Sequence, residues 1–347
     1  MPANLPPNYH VVEARYKSAT DPAEKLAALQ ELWVLLPKHK HTEKMQADLK
    51  TKLSQLRKTP GSRAGGRQKP EFCIERGGAG QLWLVGPPNA GRSSLLARLT
   101  TATPEISEGL FTTKKPVPGM LTFEDIGIQL VEAPAIYPTL TPKWLSPNLR
   151  IGDGVLLVFG LGSDELFEGV DEVLATLERA KIVLYPPASA DLSAEALAEA
   201  EPDPPDEPGV ELLPGFVVLN QADLDPDGGL EALLRDYLAE KGPAWAALPV
   251  LRVSAATGDG LAEVPRRLFD ALSILRVYSK LPGKPPDLAA PFVRPRGTTV
   301  LELTEHIHKE LAARFQFARL WRGDKYEGGR VSGDFVLEDR DIVEIHA

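Results

Sequence analysis

Five short apolar runs constrain the fold of the central part of this chain more than any other feature. They lie at residues 82–85, 128–131, 155–159, 216–219 and 250–253. Continuous apolar runs of this length are typical of parallel strands that are buried on both faces. The segments between them carry helical patterns, at 93–100, 171–180, 230–241 and 260–275. This alternation predicts an α/β fold with a doubly wound sheet.

The composition excludes several classes of protein. The chain has 347 residues, of which 43% are hydrophobic and 25% are charged, as in proteins with sizeable packed cores. No run approaches the roughly 18 apolar residues of a membrane-spanning helix, and the first residues lack the pattern of a secretory signal. The single cysteine, Cys73, excludes an intramolecular disulfide and a cysteine-built zinc site. We therefore expect a cytoplasmic protein that does not contact membranes.

The net charge of −9 is unevenly distributed along the chain. Residues 191–241 contain 14 acidic and two basic side chains, whereas residues 38–70 contain ten basic and two acidic ones. The basic stretch is suited to contact phosphate groups, but a solvated basic helix face has the same composition. Both interpretations stay open on the sequence alone.

Two domains are predicted before residue 291. Residues 1–70 carry a helix-start signal at 21–24 and amphipathic spacing over two segments, which predicts a basic helical hairpin followed by a Gly/Pro/Arg linker. The sheet domain occupies 71–290. It includes an acidic, proline-rich segment at 186–214, which we interpret as a surface excursion.

A third, smaller domain is predicted at 295–347, after a proline-rich segment. The pattern indicates a strand at 298–303, a helix at 305–314 and a strand at 317–321. Two short strands bounded by turns close the domain. One helix on a small mixed sheet indicates a β-grasp domain.

A glycine-rich turn connects the first apolar run to the first helical pattern. Residues 86–94, GPPNAGRSS, match the phosphate-binding pattern G-x-x-x-x-G-K-[ST], except that Arg92 replaces the lysine. The glycines allow backbone N–H groups to wrap phosphates, and the helix N-terminus adds positive potential. The hydroxyl of Ser93 stands where such loops ligate Mg²⁺. The predicted phosphate-binding residues are Gly86, Asn89, Ala90, Gly91, Arg92, Ser93 and Ser94.

A second motif follows the fourth apolar run. The sequence LNQAD at 219–223 resembles the guanine-specifying pattern N-K-x-D, with Gln221 in place of the lysine. The carboxylate of Asp223 suits the adjacent N–H donors of guanine, which adenine does not offer, and Asn220 would tie this loop to the glycine-rich turn. The last apolar run is followed by a segment that matches the loop placing a backbone N–H on guanine O6. This segment consists of Ser254, Ala255 and Ala256.

Two further segments stand where nucleotide-hydrolysing proteins sense the γ-phosphate. Glu132 and Ala135 occupy the fixed positions of the pattern D-x-x-G, and the sequence FTT ends in Thr112 and Thr113. Thr113 is predicted to ligate Mg²⁺ together with Ser93, and Thr112 to contact the nucleotide. Ala135 keeps an N–H group but lacks the backbone freedom of glycine. The candidate catalytic residues are therefore Thr113, Glu132 and Ala135.

Together these motifs resemble the Obg-related class of GTPases, and within it the developmentally regulated GTP-binding protein (DRG) branch. The resemblance rests on GPPNAGRSSLLARLT, on FTT with PGMLTFEDIGIQLVEAPAI, and on the basic N-terminal sequence. The C-terminal sequence GGRVSGDFVLEDRDIVEIHA is similar to the TGS domain of this branch. The resemblance implies a P-loop GTPase fold, GTP or GDP with Mg²⁺, and K⁺ beside Asn89. It also implies a protein partner and contacts with ribosomes or RNA through the basic hairpin and the TGS domain.

Four residues depart from the pattern of this class, namely Arg92, Glu132, Ala135 and Gln221. The planar guanidinium of Arg92 is not the compact point charge of a lysine, and Glu132 is one methylene longer than aspartate. Lost transition-state contacts of ~2–4 kcal/mol would slow the chemistry about 10²–10³-fold, so we expect slow or impaired GTP hydrolysis. The alternative is a pseudo-GTPase scaffold that binds RNA or ribosomes without regard to nucleotide. An ATP-using P-loop kinase is disfavoured because it would not need Asp223.

Overall fold

The chain divides into two compact units, Met1–Lys69 and Pro70–Ala347, in the computed structural model. The structure describes residues 12, 32, 74–102, 115–137, 142–187, 209–323 and 326–347. In the first unit, Val12 and Leu32 are helical and buried, and the rest of the predicted hairpin and linker lies outside the described residues. None of the helices in the described ranges has the length and apolar character needed to span a bilayer.

A seven-stranded sheet forms the first half of the second unit. Its strands are β1 Gln81–Val85, β2 Val117–Phe123, β3 Ile126–Glu132, β4 Gly154–Gly160, β5 Ile182–Tyr185, β6 Glu211–Asn220 and β7 Val250–Arg252. They follow the order β2–β3–β1–β4–β6–β5, and β7 pairs with the second half of β6. All neighbours are parallel except β2 and β3, which form an antiparallel hairpin.

Helices cover both faces of this sheet. They are α1 Arg92–Leu99, α2 Leu145–Leu149, α3 Leu166–Arg179, α4 Gly229–Lys241, α5 Pro243–Ala246 and α6 Val264–Ala271. Leu95 of α1 and Leu268 of α6 are buried against one face, and Val173 of α3 and Leu234 of α4 are buried against the other. The predicted α/β doubly wound sheet is confirmed, because apolar strands need apolar helix faces on both sides.

The surface excursion that the sequence predicts at 186–214 includes four residues, 211–214, that belong to a strand in the structure. β6 begins at Glu211, and residues 211–214 pair in parallel with β5. Their apolar residues are partly buried, which a surface loop would not require. Residues 188–208, with a helix predicted at 192–200, lie outside the described residues.

A second sheet of five strands forms the C-terminal part of the unit. Its elements are β8 Ile274–Ser279, β9 Phe292–Pro295, α7 Val300–Ile307, α8 Lys309–Ala313, β10 Phe317–Arg322, β11 Tyr326–Val331 and β12 Asp341–His346. The strand order is β11–β10–β12–β8–β9, with β12 and β8 parallel and the other neighbours antiparallel. α7 packs on one face of this small mixed sheet.

Two details of the C-terminal part differ from the sequence-based expectations. The predicted strand at 298–303 is the first part of α7, because Thr299 and Glu302 form a reciprocal capping box that starts a helix. The second sheet begins at Ile274, inside the predicted helix at 260–275 and well before residue 295. Ser273 has a φ of 47°, which ends the helical path and allows β8 to pair with the distant β12.

Candidate functional site

The glycine-rich turn lies between β1 and α1, at the carboxyl edge of the seven-stranded sheet. Gly91 is the N-cap of α1 and has a φ of 76°. A Cβ atom on Gly91 would lie 2.2 Å from Nδ2 of Asn220, and one on Gly86 would lie 2.2 Å from the carbonyl O of Val158. Both positions therefore require glycine. Because the N-cap has no side chain, the first N–H groups of α1 remain suited to an anion.

Arg92 begins α1, and its side chain is only 6% exposed. Its Nη1 donates to the carbonyl O of Gly86 at 2.8 Å, of Pro134 at 3.0 Å and of Ala133 at 3.2 Å. Burial lowers the pKa of the guanidinium to about 10, although the carboxylate of Glu132 acts in the opposite direction. Arg92, which the sequence predicts to bind phosphate, thus joins the glycine-rich turn to the segment after β3 by donating to backbone carbonyls of both.

Ser93 and Glu132 lie together beside this turn. The Ser93 Oγ donates to Glu132 Oε1 at 2.6 Å, and Glu132 is buried at the end of β3. Mg²⁺ prefers oxygen donors and commonly binds one or two protein oxygens together with phosphates. The pair therefore fits Mg²⁺ in a nucleotide complex. Within the described ranges, no group of three or more His, Cys, Asp or Glu could hold a metal ion by itself.

The segment that follows β3 is tied to the first strand by its backbone. The N–H of Ala133 donates to the carbonyl O of Leu84 at 3.0 Å, and the N–H of Ile136 donates to the carbonyl O of Gly86 at 3.1 Å. Ala135, the candidate sensor of the γ-phosphate, is partly buried between these two anchors. Hydrogen bonds on both sides restrict how far this segment can turn.

Asn220 ends β6 and is buried. Its Nδ2 donates to the carbonyl O of Ala90 at 3.1 Å and of Gly91 at 3.3 Å. Its Oδ1 accepts a hydrogen bond from the N–H of Ala255 at 3.0 Å. One amide side chain therefore connects the glycine-rich turn, β6 and the 254–256 loop. The connection from Asn220 to the glycine-rich turn is the one that the sequence motif predicts.

Gln221 takes the position of the usual lysine and has a φ of 62°. Its Oε1 accepts a hydrogen bond from the N–H of Gly162 at 3.1 Å. A Cβ atom on Gly160 would lie 2.6 Å from the same oxygen. The side chain therefore holds the end of β4 close to the guanine-specifying motif instead of extending as a long aliphatic stem.

Asp223 is exposed, and its orientation is set by a buried neighbour. Oδ1 of Asp223 accepts a hydrogen bond from Ser254 Oγ at 2.6 Å, and Ser254 Oγ accepts one from the N–H of Thr257 at 3.1 Å. The carboxylate is thus presented to solvent at the edge of the site. The N–H of Ala255 is donated to Asn220, so within the predicted loop Ala256 would be the residue to contact guanine O6.

The structure brings together most of the predicted residues, but two of them, Thr112 and Thr113, lie outside the described residues. Asn89, the predicted K⁺ ligand, is exposed at the tip of the turn with a φ of 55°. Sequence reasoning missed Gly160 and Gly162. The signal for them is the sequence FGLG, which places two glycines after a strand that neighbours β1, where ligands bind in doubly wound folds.

The β2–β3 hairpin connects this site to the second sheet. Arg276 in β8 is only 2% exposed, and it forms ion pairs with Glu124 and Asp125 in the hairpin turn and with Asp339. The phenol of Tyr278 donates to Asp125. We call these five residues the hairpin clamp. No local sequence signal indicates this clamp, because the partners of Arg276 are 63 or more residues away along the chain.

Charge compensation keeps the clamp ionised. Burial alone would lower the pKa of Arg276, but hydrogen bonds to Asp339, Glu124 and Asp125 raise it above its ordinary value. Burial opposes the charge of Asp125 as well, yet hydrogen bonds from Tyr278 and Arg276 lower its pKa. The clamp is therefore an ionised network between the two sheets.

Two family models match the chain. Residues 81–187 match the model described as 50S ribosome-binding GTPase, and residues 275–347 match the TGS domain. The first match begins at the start of β1, and the second begins within β8. The two matches thus coincide with the starts of the two sheets, and the second supports the early start of the C-terminal domain.

Similar proteins carry names of GTP-binding proteins. An uncharacterized GTP-binding protein of Methanocaldococcus jannaschii is 27% identical over 93% of this chain and 92% of its own length. Developmentally-regulated GTP-binding protein 1 of Xenopus laevis is 26% identical over 92% and 98%, respectively. Ribosome-interacting GTPase 1 of Saccharomyces cerevisiae is 24% identical over 93% and 98%. Among solved structures, a GTP binding protein from Pyrococcus horikoshii OT3 is 17% identical, with a TM-score of 0.47 over 77% of this chain and 99% of that one.

These matches agree with the resemblance that the motifs showed, in both the order of the domains and the span of the chain. The chain therefore carries a GTPase domain followed by a TGS domain, and over more than nine-tenths of its length it is similar to GTP-binding proteins that include one of the developmentally regulated type.

Proposed function

We propose that this protein binds GTP and GDP with Mg²⁺, hydrolyses GTP slowly and associates with ribosomes. The observation that carries the proposal is the Asn220 amide, which joins the glycine-rich turn to the 254–256 loop. Beside it, Ser254 holds the exposed carboxylate of Asp223 in one orientation. This arrangement suits one nucleotide, with its phosphates at the turn and a guanine base at Asp223.

The residues of the site have distinct roles in this proposal. The turn that ends at Gly91 and the N-terminus of α1 would hold the phosphates through backbone N–H groups. Arg92 supplies a positive charge behind the turn, and Ser93 with Glu132 would hold Mg²⁺. When bound, Mg²⁺ neutralises negative charge on the phosphate oxygens.

Slow hydrolysis follows from what the transition state needs beyond binding. It requires positive charge against the transferring γ-phosphoryl group and a segment that closes on it. Nη1 of Arg92 is engaged by backbone carbonyls, and Ala135 lies in a segment anchored on both sides. A loss of ~2–4 kcal/mol of transition-state stabilisation slows the reaction about 10²–10³-fold.

A binding experiment tests the base assignment. Titration with a fluorescent GDP analogue, with ADP as competitor, should show GDP binding at least ~10²-fold tighter, or about 2.7 kcal/mol. Asp223→Asn should remove most of this difference because a neutral amide no longer suits both guanine donors. Asp236→Asn, an exposed change in α4, should not. Equal affinities for GDP and ADP would contradict the assignment, and no binding with or without Mg²⁺ would favour the pseudo-GTPase alternative.

Single-turnover phosphate release tests the rate, with K⁺ present so that a contribution at Asn89 is included. The wild type should turn over at or below the slow rate of an unassisted GTPase. Arg92→Lys alone should restore little, because residues that act together in catalysis are not additive. The triple change Arg92→Lys, Glu132→Asp and Ala135→Gly should raise turnover measurably. A wild type that releases phosphate several times per minute would contradict impaired hydrolysis.

Ribosome association is supported by the name of the yeast relative, Ribosome-interacting GTPase 1, and by the basic stretch at 38–70. Neutralising RNA phosphates releases counterions, so co-sedimentation with ribosomes should weaken as salt rises. Deleting residues 1–70 should reduce co-sedimentation at low salt. The rest of the chain should stay folded, because Pro70–Ala347 forms a compact unit of its own. Unchanged sedimentation would leave the basic stretch as a solvated surface.

A further inference from the structure

The four residues that follow β3, at 133–136, are fixed at both ends by buried side chains. We call them the post-β3 segment. Ala133 is fully buried and Ile136 is only 2% exposed, and both belong to the apolar cluster on the α3 face of the first sheet. Between them, the ring of Pro134 restricts its own φ, and Ala135 lacks the backbone freedom of glycine. Side-chain packing and residue type therefore leave this segment few alternative conformations.

The side chain of Arg92 adds contacts in the middle of the segment. Its Nη1 donates to the carbonyl O of Ala133 and of Pro134, and the same atom donates to the carbonyl O of Gly86. The carbonyl O of Gly86 also accepts a hydrogen bond from the N–H of Ile136. One guanidinium nitrogen and one carbonyl group thus connect the glycine-rich turn to both halves of the segment.

The burial of Arg92 makes these contacts costly to break. Its side chain is only 6% exposed, so water cannot easily replace a hydrogen-bond partner that moves away. If the segment moved, Nη1 would lose the carbonyls of Ala133 and Pro134 and would keep the carbonyl of Gly86 alone. The segment is therefore held by a buried cation that needs acceptors, as well as by its own packing.

A γ-phosphate offers this segment little in return for moving. In GTPases that switch, mobile segments are ordered by contacts with the γ-phosphate and are released on hydrolysis. A ligand shifts a segment only by the difference in its interactions with the two conformations. Here the N–H of Ala135 could gain one hydrogen bond. Movement would break two contacts of Arg92 and the backbone hydrogen bonds of Ala133 and Ile136.

We propose that Arg92 holds the post-β3 segment in one conformation, whether GDP or GTP is bound. Arg92 is then a positioning residue, and it acts on bound phosphates through its charge from behind the turn. Recognition of the γ-phosphate does not pass through a movement of this segment. The statement about nucleotides rests on the proposed function, whereas the contacts of Arg92 do not. The competing arrangement is one in which Arg92 leaves the carbonyls and turns to the phosphates.

Hydrogen exchange of the nucleotide-free full chain, followed by mass spectrometry, tests the role of Arg92. A peptide covering residues 130–137 contains the N–H groups of Ala133 and Ile136. Arg92→Met should speed its exchange ~10-fold or more, because the segment opens more often without these contacts. Arg92→Lys, whose ammonium offers three donors, should exchange like the wild type. The matched control is Arg98→Met, which makes the same change at an exposed position of α1 and should have no effect.

A second peptide separates a local effect from a general loss of stability. Exchange in β4, Gly154–Gly160, should be unchanged in Arg92→Met, because this strand makes no contact with the Arg92 side chain through the hydrogen bonds described above. Equal acceleration in both peptides would overturn the positioning role. Unchanged exchange at 130–137 in Arg92→Met would overturn it as well.

The nucleotide statement is tested on the wild type, so it does not depend on the folding of a variant. Exchange at 130–137 should differ less than about twofold between saturating GDP and a saturating non-hydrolysable GTP analogue, each with Mg²⁺. A difference of ~10-fold or more would overturn the proposal. Faster exchange with GDP than without nucleotide would also overturn it, because Arg92 would then have left the carbonyls for the phosphates.

Failure of this inference and failure of the proposed function give different results. Protection at 130–137 that Arg92→Met removes, in a chain that binds neither nucleotide, would overturn the proposed function and leave the positioning role in place. Tight GDP binding with a ~10-fold difference in exchange between GDP and the GTP analogue would overturn this inference and leave nucleotide binding in place.

Discussion

Among the residues that the structure describes, two arginines are almost fully buried, and they are held in opposite ways. Arg92, at the candidate nucleotide site, is surrounded by backbone carbonyls, and its pKa is lowered to about 10. Arg276, between the two sheets, is surrounded by carboxylates, and its pKa is raised. Dipoles solvate a charge only partly, whereas carboxylates neutralise it.

The difference indicates what each arginine is for. The charge of Arg276 is compensated within the protein, so its role is to join the β2–β3 hairpin to the C-terminal sheet. The charge of Arg92 is hydrogen-bonded to backbone carbonyls and is balanced by Glu132 through space alone, beside a glycine-rich turn and a helix N-terminus. In the proposed function, a nucleotide phosphate would be the further counter-ion of this second arrangement.

The largest expected effect is the removal of the clamp cation. Arg276→Met should destabilise the protein by about 3 kcal/mol, because three partly exposed carboxylates lose their charged hydrogen bonds to the guanidinium while solvent screens part of the loss. Urea unfolding followed by tryptophan fluorescence measures this loss. Arg266→Met, which breaks an exposed pair with Asp270, should cost under about 1 kcal/mol. Similar losses in both variants would remove the distinction between compensated and surface charges.

The second prediction concerns the charge of Arg92 at the candidate nucleotide site. A hundredfold excess of GDP over its Kd, with Mg²⁺, should stabilise the wild type by about 2.7 kcal/mol. Arg92→Met should lose most of this stabilisation, because it removes the cation that the phosphates compensate. Arg276→Met should keep it, because Glu124 and Asp125 of the clamp lie just before the start of β3, whereas the glycine-rich turn lies near its end. Thermal shifts with and without GDP measure both, and an unchanged shift in Arg92→Met would show that this charge is not used in binding.

The third prediction exchanges each arginine for lysine. Nη1 alone makes the contacts of Arg92 with Gly86, Ala133 and Pro134, and an ammonium offers three donors from one atom. Arg92→Lys should therefore change the unfolding free energy by less than about 1 kcal/mol. Arg276 uses Nε, Nη1 and Nη2, which a lysine cannot replace, so Arg276→Lys should cost about 2 kcal/mol. Equal costs in urea unfolding would contradict this comparison.

The smallest effect is the acid sensitivity of the clamp. Hydrogen bonds from Arg340 and Arg276 lower the pKa of Glu124, and the pKa of Asp125 is lowered as well. Carboxylates with lowered pKa values stabilise the fold above their ordinary values of about 4.3 and 3.9, and this stability is lost as the pH falls through the lowered values. Because Glu124 is 38% exposed, solvent screening limits the loss to about 1 kcal/mol. Unfolding between pH 5 and pH 3 should show this loss in the wild type and a smaller one in Arg276→Met.

Local sequence determined the elements whose signals are short-range. The five apolar runs became β1, β3, β4, β6 and β7. The glycine-rich turn is predicted from its motif, and the structure gives the physical reason for Gly91, which has a left-handed backbone and a close neighbour. The start of α7 also has a local signal, because Thr299 and Glu302 are spaced as a capping box in the sequence. The prediction of a strand at 298–303 did not use this signal.

Tertiary structure alone decided the features that depend on distant partners. β8 belongs to the second sheet because β12, more than sixty residues later, pairs with it. The direction of the Arg92 side chain was set by carbonyls beyond β3, and the clamp around Arg276 by acids in a hairpin of the other sheet. A sequence pattern reports periodicity and capping within one element. Which buried arginine is hydrogen-bonded to carboxylates and which to backbone carbonyls is fixed when the elements pack, because these interactions act over a few ångströms in space and not along the chain.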